Sequence, residues 1–360
     1  MRRWWMAASP LLLASLAACG LLEIDPASKI SAIEPISVRV EVIELGPLNP
    51  ERASFPSTAA IAEFMPGDRV RFEVEVVDTD GLALADEELD TLWFQCADGL
   101  CQSVEVGLRD PVYEQPCEEL EDWTMDSRCR LGRGRGSIEF IAPPLGEEYS
   151  WRIAAYVAIA WNGQRAERCW ATRLSAEPIA PNCGFLTFDA FVGPTWSLLV
   201  HGDSVGVPSP VPIDALPAPL FLQQANRAPL IDSVEIVVDG LPQRLSPVDG
   251  TVGPVAVDPG DRVSMKLIPD PDHLLGQRYY FPLSGDYDVF SVTLESLWIR
   301  VSTAGPITFK EQFEQSITPV AYPFQLQVDE FAEPGIARAV LVVFDGRGAE
   351  DVVRVEFELQ

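Results

Sequence analysis

The chain has 360 residues, 47% of them hydrophobic, which is enough for real cores and too much for a wholly disordered polymer. Its 54 acidic against 26 basic residues give a formal net charge of −28, which argues against nucleic acid and against a basic patch for anionic lipids. Length alone predicts two or three domains.

The first element is an export segment. Arg2 and Arg3 precede an apolar run from Trp4 to Leu16, which ends in Leu16-Ala17-Ala18-Cys19-Gly20. Positive charge, a short apolar stretch and small residues form the order of a secretory signal. The run is too short for a membrane-spanning helix, which needs about 20 residues. Leu-Ala-Ala-Cys resembles the lipobox of bacterial lipoproteins. That resemblance implies a signal peptide over 1–18, cleavage before Cys19 and a diacylglyceryl group on the Cys19 thiol. Two acyl chains meet the requirement for stable membrane anchoring. Gly20, rather than Asp, after the cysteine implies the outer membrane by the same resemblance. An ordinary secretory signal with a chance cysteine is the alternative. Residues 19–35 read as a tether.

Strand signals follow. Ile36, Val38, Val40 and Val42 alternate with polar residues, as do Val70, Phe72, Val74 and Val76. The same period recurs at Val263, Met265 and Leu267, at Tyr322, Phe324, Leu326 and Val328, and at Val353, Val355, Phe357 and Leu359. A period of two places one face on a core and one in water. Helical periodicity is sparse, with short helices expected at most within 114–126 and 306–317. The expectation is an all-β chain.

Six cysteines remain after Cys19: Cys96, Cys101, Cys117, Cys129, Cys169 and Cys183. An even number in an exported chain reads as a set of disulfides. The sequential pairing Cys96–Cys101, Cys117–Cys129 and Cys169–Cys183 is the one expected. Zinc is the rival reading, but the chain has no Cys-x-x-Cys pair and only two histidines.

An internal repeat organises the rest. Pro66-Gly67-Asp68-Arg69-Val70 recurs as Pro259-Gly260-Asp261-Arg262-Val263. Each opens a strand that ends in an acidic turn, with Asp78 and Asp80 in the first copy and Asp270 and Asp272 in the second. Downstream, Leu89 to Phe94 mirrors Leu294 to Ile299, placing Trp93 opposite Trp298. A Pro-Gly-Asp turn, a strand, an Asp-x-Asp turn and Leu-x-x-Leu-Trp resemble immunoglobulin-like β-sandwiches of the PKD and cadherin-like type. Asn226-Arg227-Ala228-Pro229 resembles the start of such a domain, and Val342 to Gly348 its closing hairpin. The resemblance covers roughly 36–175 and 230–360, and it implies two tandem sandwiches with both tryptophans between sheets. Domain one is expected over 36–200, with a cysteine-bearing insertion, and domain two over 230–360. The prolines at 208, 210, 212, 217 and 219 make 201–229 a semi-rigid linker.

Candidate chemistry is thin. Gly202-Asp203-Ser204-Val205-Gly206 matches the Gly-x-Ser-x-Gly nucleophile elbow, and Asp270 and His273 could complete a triad. An elbow must lead into a helix, and the prolines after Ser204 forbid one. A serine esterase is therefore a distant alternative. Asp78, Asp80, Asp270 and Asp272 are calcium candidates, because cadherin-like domains bind calcium with Asp-x-Asp turns. A calcium site needs six to eight oxygens, however, and such turns also form for geometry alone. His201 reads as a loop residue, and Arg133-Gly134-Arg135-Gly136 as a turn. No cofactor is expected. The composite expectation is a non-enzymatic, lipid-anchored envelope protein that binds a protein or glycan partner. A carbohydrate-binding module using exposed tryptophans is the alternative.

Overall fold

In the computed structural model the described residues are 29–49, 60–96, 111–145, 152–175, 178–193, 226–270, 278–282, 290–294, 297–310, 317–319, 323–345 and 347–360. The alternating segments all form strands. In the first unit these are β1 (Glu34–Glu44), β2 (Arg69–Val77), β3 (Asp90–Cys96), β4 (Cys129–Gly134), β5 (Ser137–Ile141), β6 (Arg152–Ala160) and β7 (Cys183–Phe191), with the helix α1 (Ala166–Leu174) between the last two. They make a three-stranded sheet, β1-β2-β5, and a four-stranded sheet, β4-β3-β6-β7. Val38, Val40, Phe72 and Val74 from the first sheet meet Trp93, Ile153, Val157 and Ile159 from the second in one core.

The second unit contains β8 (Ile231–Val238), β9 (Leu241–Leu245), β10 (Thr251–Val257), β11 (Arg262–Pro269), β12 (Arg278–Pro282), β13 (Phe290–Leu294), β14 (Trp298–Ala304), β15 (Ile307–Lys310), β16 (Ile317–Pro319), β17 (Phe324–Val328), β18 (Gly335–Phe344) and β19 (Glu350–Leu359). Two five-stranded sheets, β10-β19-β18-β14-β16 and β15-β17-β11-β8-β9, enclose its core, and β12 and β13 form a separate hairpin. Val263, Met265, Leu267, Phe324, Leu326, Val328, Val353, Val355 and Phe357 all point into that core, as their alternation requires. The chain is all-β, with sandwich packing.

The strand β6 is apolar on both faces. In β6, Ile153, Ala155, Val157 and Ile159 face the sandwich core. Ala154, Tyr156, Ala158 and Ala160 face a second cluster with Ala166 and Cys169 of α1. The helix thus covers the outer surface of the four-stranded sheet. Its apolar residues Ala166, Cys169, Trp170 and Leu174 recur at helical spacing, a pattern that the strand-dominated reading passed over. No α-helix occupies the described residues of the two segments expected to hold one, and 311–316 lie outside the described residues. Residues 114–126 hold only short 3-10 turns, at Pro111–Glu114 and Cys117–Glu119, and β15 and β16 occupy the ends of 306–317.

The cysteines staple this outer layer. Cys169 of α1 is bonded to Cys183 at the start of β7, and Cys117 to Cys129 at the start of β4. Cys96 is also disulfide-bonded, while Cys101 lies outside the described residues.

The repeat is faithful at one end and slips at the other. Gly67 and Gly260 have φ of 88° and 89°, a left-handed conformation that suits glycine. Asp68 accepts a bond from the backbone of Met65 at 2.8 Å, and Asp261 accepts one from Asp258 at 2.8 Å, so each aspartate closes the same turn. The tryptophans do not correspond. Trp93 lies in the first core, while Leu92 and Phe94 face the helix layer. At β14 it is Leu297, just before the strand, and Ile299 and Val301 within it that enter the second core, which puts Trp298 on the outer face with Arg300. A one-residue slip turns every side chain of a strand to the opposite face. The expectation that Trp298 fills the second core is therefore corrected: it is half-buried and outside it.

Candidate functional site

The most constructed feature lies where the two units meet. In β18, Ala339, Leu341 and Val343 face the second core, while Val340 and Val342 turn outward. There they join Ala304 and Val352, and pack on Ile30, Ile36 and Val77 from the first unit. The tether end takes part, since Ile30 donates its N–H to the Thr303 carbonyl at 2.8 Å and Lys29 bridges Thr303.

Beside this apolar patch is a buried polar cluster. Arg347 is 4% exposed; its guanidinium donates to Glu63 at 3.2 Å and to the Asn226 side-chain oxygen at 3.1 Å. The Asn226 amide donates to Asp345 at 2.7 Å, and its backbone N–H donates to Glu63 at 2.9 Å. Asp345 also caps the closing hairpin, accepting from Arg347 N at 2.7 Å and Ala349 N at 3.0 Å. Burial pushes its carboxyl upward, and Arg347 pulls the other way. Three chain segments, 60–64, 226–228 and 345–349, are thereby fastened together. Asn226 and the 345–348 hairpin were expected as domain margins. Glu63 was not singled out, since nothing in its sequence surroundings marks it.

A second buried group is titratable. The Glu350 carboxylate accepts the Val38 N–H across the junction, and it faces Arg300 and Asp345. Arg300 in turn donates to the Ile36 carbonyl and faces Glu34. Burial pushes Glu350 up to about 7, against the pull of Arg300. In an unfolded chain this carboxyl titrates near its ordinary 4.5. Between those values the folded chain holds a proton that the unfolded chain has released, so this residue's contribution to stability falls as pH rises from about 4.5 to about 7. Glu350→Gln should gain on the wild type across that window, by on the order of 3 kcal/mol in the limit. Urea unfolding at pH 5 and pH 8 checks this, and an equal difference between the two proteins at both values would refute it.

The first unit also carries an open cleft of about 680 Å³, lined among others by Glu87, Asp90, Arg133, Arg135, Gln164 and Arg165. Arg133 donates to both Asp90 oxygens, at 2.8 and 2.7 Å, and to Glu167 at 2.7 Å. Burial alone would raise Asp90, but the bonds from Arg133 and from Ala166 N–H outweigh it and hold the carboxyl below its usual range. Arg133 is thus neutralised within the fold, while the Arg165 side chain pairs with Glu167 at 3.6 Å and stays 69% exposed. Guanidinium and amide donors in an open polar cleft suit the binding of a polar group.

The other expected residues fall as follows. One Asp78 carboxylate oxygen accepts the N–H groups of Asp80 and Leu82, both at 2.9 Å, and so closes its own turn. The Asp80 carbonyl accepts from Arg338 of the second unit at 3.0 Å. Asp270 follows β11 and donates its backbone N–H to the Leu230 carbonyl. Among the described residues no three His, Cys, Asp or Glu side chains gather as a metal would need. Cys19, His201, Ser204, Asp272, His273 and nearly all of 201–229 lie outside the described residues. Among those residues no helix is long and apolar enough to cross a membrane.

No family model matches the chain, and no curated protein does. Among solved structures it is similar to Escherichia coli alpha-2-macroglobulin, at 8% identity and a TM-score of 0.21, covering 84% of this chain and 17% of that one. It is similar to dimeric latent PorU from Porphyromonas gingivalis, at 15% identity and a TM-score of 0.17, covering 91% and 24%. The CupB6 tip adhesin from Pseudomonas aeruginosa gives 9% identity and a TM-score of 0.16, covering 91% and 97%. The chain spans about a fifth of the length of the alpha-2-macroglobulin structures it matches.

Proposed function

We propose that this chain is a non-catalytic, lipid-anchored envelope protein whose two sandwiches form one stiff body that displays a binding or scaffolding surface. The observation that carries the reading is the buried cluster of Glu63, Asn226, Asp345 and Arg347. Burying such groups costs heavily unless every partner is in place, so the cluster favours one set arrangement of the units. A fixed arrangement is what a display platform needs. The lipobox supplies the tether, and about ten residues separate Cys19 from Lys29. They can span at most about 35 Å. Because Lys29 bridges Thr303, that edge of the second unit stays within about the same reach of the anchor. The disulfides fit an oxidising compartment such as the envelope.

The carbohydrate-binding alternative draws less support. Trp93 and Trp161 are in the first core, Trp170 stacks on Phe94 at 4.2 Å, and Trp123 donates to Gln95. These four rings are committed to packing rather than set out as a sugar platform. Labelling of the full chain in cells with a palmitate analogue, beside a Cys19→Ala variant, tests the anchor. Full labelling of the wild type and none of the variant is expected, and label retained by the variant would refute the reading.

A further inference from the structure

One pole of the second unit presents a side chain that the core does not use. Phe331 is 93% exposed, the highest value among the large hydrophobic residues described. It sits on the short loop between β17 and β18, and that loop is built rather than slack. Asp329 donates its N–H to the Pro306 carbonyl at 3.0 Å, and Ala332 closes a turn onto Asp329 at 3.2 Å while packing against the core. At the base, Val328 donates to the Asp261 carbonyl at 3.0 Å, and the Gln327 amide to that of Gly260 at 2.7 Å. Phe331 is therefore held outward beside a concavity of about 670 Å³ walled by Pro306 and Pro334. Its surroundings are acidic. Asp329, Glu330 and Glu333 stand on the loop, and Glu330 lies against Gly260 of the turn that holds Asp258 and Asp261. Arg262 is the lone base in these segments.

An exposed aromatic ring on a hydrogen-bonded loop, inside a charged rim, is the form of an interface anchor. We propose that this pole is the docking surface of the display module, and that its partner is a protein with an apolar pocket for Phe331 rimmed by Lys or Arg. The proposal rests on the binding role stated above and gives it a place and a chemistry. Charge selects the occupant: five carboxylates repel an anionic lipid surface, and a net charge of −28 opposes a second copy of this chain. Complementary charge steers the encounter, and burial of the ring holds the complex.

The test is photocrosslinking of the full-length chain in intact cells, with p-benzoylphenylalanine placed at 331, at Val248 on a separate exposed turn, or at Arg135 in the polar cleft. A discrete adduct is expected at 331, with the crosslinked peptide from another protein and carrying nearby Lys or Arg. Combining Asp329→Asn, Glu330→Gln and Glu333→Gln should cut its yield about tenfold or more. With the probe at Pro334 instead, Phe331→Ala should remove the adduct while leaving the thermal transition of the purified protein unchanged, because the ring packs on no core. A lipid adduct, a self-adduct or an adduct insensitive to the charge changes would overturn the proposal. Adducts at 248 or 135 with none at 331 would overturn the pole and leave the binding role standing. No adduct at any position would sink both.

Discussion

Arg347→Ala is expected to destabilise the folded chain by about 3–5 kcal/mol, the cost of breaking a buried ion pair by removing one partner. The geometry gives the reason. Arg347 donates to Glu63 and to Asn226, and Asn226 in turn holds Asp345. Alanine removes the guanidinium that bonds Glu63 and, through Asn226, is linked to Asp345, while both carboxylates stay buried. The sign of the pH dependence follows. Burial already raises Asp345, and Arg347 opposes that rise. Without Arg347 the carboxyl rises further, so the folded state holds its proton to higher pH than the unfolded chain does. The penalty therefore shrinks toward low pH, where both states are protonated, and grows as pH climbs above the ordinary carboxylate range. Urea unfolding at pH 4.5 and pH 7.5 reads both quantities. A second variant, Arg347→Ala with Glu63→Gln, removes one of the stranded charges and should recover part of the loss. A single-variant loss below about 1 kcal/mol would show that the cluster is solvated and that the units are not fastened there.

The junction also shows where sequence reasoning stops. Alternation marked the inward face of β2, β11, β17 and β19, because polar letters separate the apolar ones along each of those strands. It also marked the two Pro-Gly-Asp turns, whose glycine conformation and aspartate bonds are the same in both copies. The run Ala339–Val343 is apolar throughout, as is Ile153–Ala160 of β6, and such a run is the sequence's trace of a strand covered on both sides. What covers it could not be read, since Ile36 and Val77 lie far away along the chain and look like ordinary strand residues. Glu63, Asn226 and Arg347 likewise meet only once both sandwiches have formed. Asp78 shows how one pattern serves two ends. Its spacing from Asp80 is that of a ligand pair, and it is also that of an Asx turn, in which one carboxylate oxygen accepts the N–H groups of Asp80 and Leu82. Phe331 belongs to no periodic segment, and its exposure depends on how the loop leaves β17 rather than on any pattern of letters.

The tryptophan slip carries the second large effect. Trp93→Ala should cost about 3–5 kcal/mol, whereas Trp298→Ala should cost less than half as much. Trp93 is fully buried; its ring lies 6.2 Å from Phe72 and 6.0 Å from Phe188, and its indole N–H donates to Thr91 at 2.8 Å. Alanine there opens a cavity between the sheets and strands a buried hydroxyl. Trp298 stands on the outer face of β14, so its removal trims a partly wet surface and leaves Leu297, Ile299 and Val301 in the second core. The position that matches Trp93 in depth is then Ile299, which is wholly buried, and Ile299→Ala should cost about 2–5 kcal/mol. Parallel denaturation of the three variants separates the two alignments of the repeat. Equal losses at Trp93 and Trp298, with a small one at Ile299, would restore the in-phase reading. The expected order instead implies that the shared Leu-Trp letters serve different ends in the two copies: one ring holds two sheets together, while the other lies over the second sandwich, on the face whose neighbouring Arg300 reaches across to the first.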